Sequence, residues 1–128
     1  MSDIHEDPTF RIVFGGYESW RSEFNGENTP VITLDSVVKK YLVNDGILKM
    51  DCEGWEHEVL RSAPRELLRR FEYILMEYHY GPEELEKIIS GAGFRVRYTN
   101  PIPIYVPERQ GEYANMRVGL LFASRMKE

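Results

Sequence analysis

The chain has 128 residues, 42% hydrophobic and 29% charged, which is the balance of a globular protein with one modest core. Its formal charge of −5 argues against an unaided nucleic-acid binder, and the single cysteine excludes an intramolecular disulfide and a thiolate-rich metal site. With no apolar run of membrane-spanning length and no signal peptide, the sequence predicts a cytoplasmic protein that binds neither nucleic acid nor membranes.

The first third of the sequence predicts a tail, a hairpin and a helix. Residues 1–9 are expected to form a loose tail and residues 10–128 a single domain. Residues 10–14 are rich in β-branched and aromatic types, and with residues 31–33 they predict an irregular antiparallel hairpin. Apolar residues then recur at helical spacing, which predicts a short helix over 34–43.

The middle of the chain predicts two strands with helices between them. The run 46–51 is almost continuously apolar, which is typical of a strand buried on both faces in a parallel sheet. Residues 55–60 predict a short helix, and Ser62 is expected to begin a second helix as its N-cap. Residues 73–79 predict the second buried strand.

The last third predicts one helix, two strands and a long loop. The helix covers 82–90 and ends at a pair of glycines. The alternating segment 94–98 predicts a strand, and 116–124 predicts the last one. Three prolines between them indicate a long loop over 99–115, which is a length usually found in functional or mobile loops.

Polar residues follow both buried strands at the point where each strand ends. Asp51 ends the first strand and Glu53 follows it, while the second strand ends in Glu77 and His79. Because the carboxyl ends of parallel strands meet at one edge of a sheet, these four side chains are expected to converge. Asp51 and Glu53 can equally serve as caps of the helix that follows.

Such a constellation supports two chemistries. His79 or a carboxylate can take a proton from a substrate hydroxyl, or the carboxylates and His79 can bind a divalent cation. The sequence alone assigns no metal ligand. In the structural alternative, His79 is a hydrogen-bonded histidine at a strand end, and Glu77 is a partner for Lys49 or an arginine. Cys52 is interpreted as a small buried hydrophobe rather than a nucleophile.

Residues 49–56, KMDCEGWE, resemble the K-[IV]-D-[VI]-E-G-x-E signature of FkbM-type S-adenosylmethionine-dependent methyltransferases. Three further segments resemble motifs of that family in the same order along the chain. They are VITLDSVV at 31–38, ILMEYH at 74–79 and GAGFRV at 91–96. The resemblance covers roughly residues 30 to 98.

The resemblance implies an α/β fold, namely a partial Rossmann-like methyltransferase sheet, mixed in strand direction, with an N-terminal β-hairpin. The last strand would run antiparallel between its neighbours. The resemblance also places Asp51 and Glu53 beside the cofactor S-adenosylmethionine, and Glu77 and His79 on the substrate side as catalytic residues. The implied reaction is methylation of a hydroxyl group on a small molecule, with sugars and polyketides as candidate acceptors.

The family's glycine-rich cofactor turn, of the type D-x-G-A-x-x-G, has no counterpart ahead of residue 30. By this resemblance, the sequence looks like the C-terminal half of the family's catalytic domain. We expect a methyltransferase that is truncated or completed by a partner chain supplying the missing half, and a homodimer is also expected. The alternative is a non-catalytic remnant that acts as a protein-interaction module. In either case the chain alone should bind S-adenosylmethionine poorly and be inactive.

Overall fold

The computed structural model describes residues 33–128, and the predicted tail and nearly all of the predicted hairpin lie outside the described residues. The helices are α1 (Leu34–Lys40), α2 (Glu56–Arg61), α3 (Arg65–Leu68) and α4 (Glu83–Gly91). The strands are β1 (Gly46–Met50), β2 (Phe71–Tyr78), β3 (Phe94–Tyr98), β4 (Ile102–Tyr105) and β5 (Asn115–Arg125). A 3₁₀ turn, Gly111–Ala114, leads into β5.

The strands form a mixed sheet in the order β1-β2-β5-β3, with β4 paired to β5 off this path. β1 and β2 are parallel, joined by the crossover through α2 and α3. β5 runs antiparallel to β2 on one side and to β3 on the other. The expected α/β fold and the expected place of the last strand are therefore confirmed.

The core lies between one face of the sheet and the helices. Alternate strand residues such as Met50, Ile74 and Leu121 point to this side, and they form one buried cluster with helix residues such as Leu60 and Leu85. Their period of two along the strands is what a sheet with one covered face requires. Among residues 33–128, the helices contribute to the core on this face alone.

The other face of the sheet is exposed, and here the sequence prediction was wrong. The side chains of Ile47 and Leu120 are 64% and 60% exposed, and Lys49 is exposed as well. The apolar run of β1 suggested two buried faces. A hydrophobic residue type alone, however, does not show whether an element of the described chain lies over it.

The start of α3 also differs from the prediction. Ser62 follows α2 in a helical conformation, and its hydroxyl donates back to the carbonyl of Val59 at 3.0 Å. Pro64 occupies the N-cap position of α3 instead, with extended backbone angles. A serine that bonds to the preceding turn satisfies a carbonyl of the helix that ends there, so it cannot cap the next one.

The predicted loop over 99–115 contains a strand and a 3₁₀ turn, so that prediction was wrong too. β4 pairs with β5 from Ile102 opposite Val118 to Tyr105 opposite Asn115. The prolines led to the loop prediction, yet Pro103 lies within β4 and faces Arg117. β4 pairs only with β5 among the described strands, and an edge strand tolerates proline because one side of it needs no donor.

Candidate active site

A sharp turn carries the chain from β1 into α2. Glu53 and Gly54 both have positive φ, at 53° and 104°. A Cβ atom on Gly54 would lie 2.7 Å from the ring of Tyr80, so a side chain is excluded there both by backbone conformation and by space. The turn therefore packs closely against the segment that follows β2.

Glu56, in the first turn of α2, holds this turn together from inside. Its side chain is fully buried, and its Oε2 accepts hydrogen bonds from the backbone N–H groups of Cys52, at 3.1 Å, and Gly54, at 2.8 Å. Its Oε1 lies 3.1 Å from Nδ1 of His79. One carboxylate thus connects the turn after β1 with the residue after β2.

Glu56 is a site residue that was not predicted from the sequence, although a signal was present. Glu56 shares the buried face of α2 with Val59 and Leu60, three and four residues further on. An acidic residue on the apolar face of a helix needs hydrogen-bond partners inside the protein. That position predicts a buried, structurally committed carboxylate.

His79 is the buried centre of the site, with 3% of its surface exposed. An ionised Glu56 can only accept a hydrogen bond, so Nδ1 of His79 carries the proton. The other ring nitrogen, Nε2, faces the acidic rim, which is the group of Asp51, Glu53 and Glu77 at the carboxyl ends of β1 and β2. Nε2 lies 3.6 Å from carboxylate oxygens of both Asp51 and Glu53. The hydrogen bond to Glu56 raises the pKa of His79 above its usual value, outweighing the opposing effect of desolvation.

Asp51 and Glu77 face each other at the carboxyl ends of β1 and β2. The hydrogen bond that the Glu77 carboxyl shares with Asp51 raises the pKa of Glu77, with burial and the Asp51 charge adding to the shift. One ligand atom from each of Asp51, Glu77 and His79 lies within 4.8 Å of the others. The structure thus brings together the four residues identified from the sequence, with Glu53 reaching the group through Nε2 of His79.

A groove of about 630 Å³ opens beside these residues on the exposed face of the sheet. Asp51 and Glu77 lie in its wall together with Lys49, Leu75, Arg97 and Phe122. The guanidinium of Arg97 lies over the ring of Phe122 at 5.8 Å. The groove therefore combines an apolar floor with charged groups of both signs, as small-molecule sites commonly do.

The segment between β4 and β5 reaches the same rim, and no pattern in the sequence predicts this contact. Nη1 of Arg109 donates to the hydroxyl of Tyr80 at 2.7 Å, and that hydroxyl donates to the carbonyl of Tyr113 at 3.1 Å. Nη2 of Arg109 lies 3.7 Å from Glu53. These contacts depend on tertiary structure, because Arg109 is 56 positions from Glu53 in the chain.

Cys52 lies between Asp51 and Glu53 but has the properties of a packing residue. It packs against the core, and burial, followed by the Glu56 and Asp51 charges, raises the pKa of its thiol to about 12. At neutral pH such a cysteine is a thiol rather than the nucleophilic thiolate. This agrees with its interpretation as a small hydrophobe.

The sheet thus has a parallel pair β1-β2 and an antiparallel strand between β2 and β3, with Asp51, Glu77 and His79 grouped at its edge. The chain belongs to the methyltransferase FkbM domain family, whose model matches residues 5–96. The resemblance drawn from the sequence is thereby confirmed. The chain is accordingly assigned to the methyltransferases.

The solved structure of precorrin-6y C5,15-methyltransferase from Geobacter metallireducens GS-15 is similar to this chain. The two share 13% sequence identity with a TM-score of 0.41, over 91% of this chain and 67% of the other. None of the curated proteins compared with the chain matches it. Within residues 33–128, no helix has both the length and the apolar character needed to cross a membrane.

Proposed function

We propose that this chain takes part in the transfer of a methyl group from S-adenosylmethionine to a hydroxyl group of a small molecule. Asp51 and Glu53 lie toward the methyl donor, and Glu77 and His79 lie toward the acceptor. The observation that carries the proposal is the orientation of His79. Its Nδ1 is fixed by buried Glu56, so Nε2 faces the acidic rim of a domain that belongs to a methyltransferase family.

The rim residues fit one wall of a cofactor pocket. Asp51 and Glu53 are exposed at the carboxyl end of β1, where their carboxylates can accept hydrogen bonds from ammonium or hydroxyl groups. When bound, S-adenosylmethionine supplies an electrophilic methyl group. Residues 33–128 contain no glycine-rich turn of the cofactor-binding type. We therefore propose that a partner chain completes the pocket.

The acceptor side requires a group that takes up the hydroxyl proton. Nε2 of His79 presents its lone pair to the rim, and a hydroxyl hydrogen-bonded there would pass its proton to the imidazole. Glu56 behind the ring and the carboxylates beside Nε2 stabilise the imidazolium that forms. Glu77 is placed to hold the hydroxyl in position from the neighbouring strand. This is the carboxylate–histidine logic of general-base catalysis.

Release of S-adenosylhomocysteine in the completed enzyme, with a panel of sugar and polyketide hydroxyl compounds, tests this role. His79→Ala should lower turnover about a hundredfold or more. His57→Ala is the matched control, because that histidine pairs with Glu84 away from the rim and should leave the turnover per folded enzyme unchanged. Equal turnover in the wild type and in His79→Ala would return His79 to a structural role.

A second candidate function, a non-catalytic interaction module, is favoured by the exposed apolar face of the sheet around Ile47, Leu75 and Leu120. Calorimetric titration with S-adenosylmethionine separates the two. We expect the purified chain alone to bind it only weakly. Micromolar binding, on the order of −8 kcal/mol, would contradict the need for a partner. Absence of binding in every assembly that the chain forms would favour the interaction module.

A further inference from the structure

We propose that Asp51, Glu77 and His79 form a binding site for a divalent transition-metal ion. Its catalytic use rests on the proposed function, because the ion would hold the acceptor oxygen, whereas binding of the ion does not depend on methyl transfer. The site spans two neighbouring parallel strands, with Asp51 after β1, Glu77 in β2 and His79 directly after it.

The geometry of the three ligand atoms is close to that of an occupied site. They lie within 4.8 Å of one another. Two neighbouring oxygen or nitrogen ligands at about 2.1 Å from an octahedral ion are about 3 Å apart. Asp51 is an exposed side chain and Glu77 is only partly buried, so both side chains have room to rotate toward a common ion.

The surroundings of His79 add a second observation to the spacing of the three groups. The ring is 3% exposed, and Nδ1 is committed to Glu56. Nε2, the other ring nitrogen, lies 3.6 Å from the nearest oxygens of Asp51 and Glu53, which is too long for a good hydrogen bond. A buried imidazole with a carboxylate behind one nitrogen and the other nitrogen facing acidic groups is the usual arrangement of a metal-ligating histidine.

The charges around the site favour a cation. The ligand oxygens of Asp51 and Glu77 lie within 4.8 Å of each other, and two ionised carboxylates at this distance repel unless a positive charge lies between them. Arg109 approaches Glu53 rather than this pair. Lys49 lines the adjoining groove as an exposed side chain, so it is the competing positive group that the experiment must separate from a metal ion.

The donor set indicates the kind of ion. Two carboxylate oxygens and one imidazole nitrogen suit Mn²⁺ or Zn²⁺ better than Ca²⁺, which prefers oxygen ligands only. Three protein ligands leave coordination positions open for the acceptor's oxygen. A bound ion would lower the pKa of a coordinated hydroxyl, whose proton would then pass to water. In that case His79 would serve as a ligand of the ion instead of as the base.

The test is a titration of the metal-free, full-length chain with Mn²⁺, followed by electron paramagnetic resonance and calorimetry. We expect one site per chain, with affinity at least tenfold weaker in Asp51→Asn and Glu77→Gln. Glu66→Gln, an exposed acidic residue on α3, is the matched control and should bind like the wild type. Lys49→Ala should bind Mn²⁺ as tightly as the wild type or more tightly.

Two outcomes would overturn the site. One is no Mn²⁺ binding up to millimolar concentration, and the other is equal binding in the wild type and in Asp51→Asn. Asp51 is half exposed, so its variant should keep the circular dichroism spectrum of the wild type and remain informative. One Mn²⁺ per chain without methyl transfer in any assembly would support the site and overturn the proposed function. Methyl transfer without Mn²⁺ binding would support the proposed function and overturn the metal site.

Discussion

Glu56→Gln is the substitution whose effect follows most directly from the structure. The carboxylate takes part in three hydrogen bonds, with the backbone N–H groups of Cys52 and Gly54 and with Nδ1 of His79. A bond to a charged acceptor contributes about 1.5–3 kcal/mol, and a neutral one contributes about 0.5–1.5 kcal/mol. In the glutamine variant one oxygen can still accept from both backbone N–H groups, at a loss of about 1 kcal/mol per bond, but the NH₂ group cannot accept from Nδ1–H of His79, so the total loss is at least about 3 kcal/mol.

Urea denaturation, followed by far-ultraviolet circular dichroism, measures this difference in the free energy of unfolding. The matched control is Glu58→Gln on the same helix, whose side chain is 53% exposed and pairs with Arg61 on the surface. That variant should lose less than about 1 kcal/mol. A loss below about 1 kcal/mol in Glu56→Gln, or equal losses in both variants, would show that the buried carboxylate does not hold the turn.

Three further predictions follow. The thiol of Cys52 has its pKa raised to about 12. At pH 8 it should therefore react with iodoacetamide about a hundredfold more slowly in the native chain than in urea. Equal rates would contradict the burial of Cys52. Arg61 lowers the pKa of Glu84, and Arg117 lowers the pKa of Glu83. These pairs therefore stabilise the fold at pH values above the pKa of the unfolded carboxyls, and this stability is lost as pH falls through the lower pKa of the folded state. The urea midpoint should drop between pH 5 and pH 3, and less steeply in Glu84→Gln; identical slopes would exclude this linkage. β1 is the edge strand of the described sheet, so we propose a two-fold dimer that pairs this edge. A monomer of 15.0 kDa in light scattering at tens of micromolar would refute that proposal.

The elements with strong local patterns could be predicted from the sequence. The segments 46–51, 73–79 and 94–98 combine apolar or alternating residues with polar residues at their ends, and all three are strands with bounds within two residues of those expected. The rim followed from the same pattern, because parallel strands bring their carboxyl ends to one edge. Asp51 and Glu77 therefore lie close together, as expected from the sequence.

Features that depend on tertiary structure could not be predicted in this way. Ser62 has the preferences of an N-cap, but the position where α2 ends decided its partner. Pro103 argued against a strand, but β4 lies at an edge where the missing donor costs little. Arg109 reaches Glu53 only because the segment before β5 returns to the rim. Local residue propensities do not predict contacts between segments that are distant in the sequence.

The position of β5 has a consequence for how the chain is made. β5 touches β2, β3 and β4, yet it is the last of these strands to leave the ribosome. Until residues 115–125 emerge, β2 and β3 have no neighbour between them, and the apolar edge of β2 is open to other nascent chains. At about 5–20 residues per second, this exposed interval lasts several seconds. Chaperone contact during synthesis should therefore concentrate on β2, and it should end once β5 has been inserted.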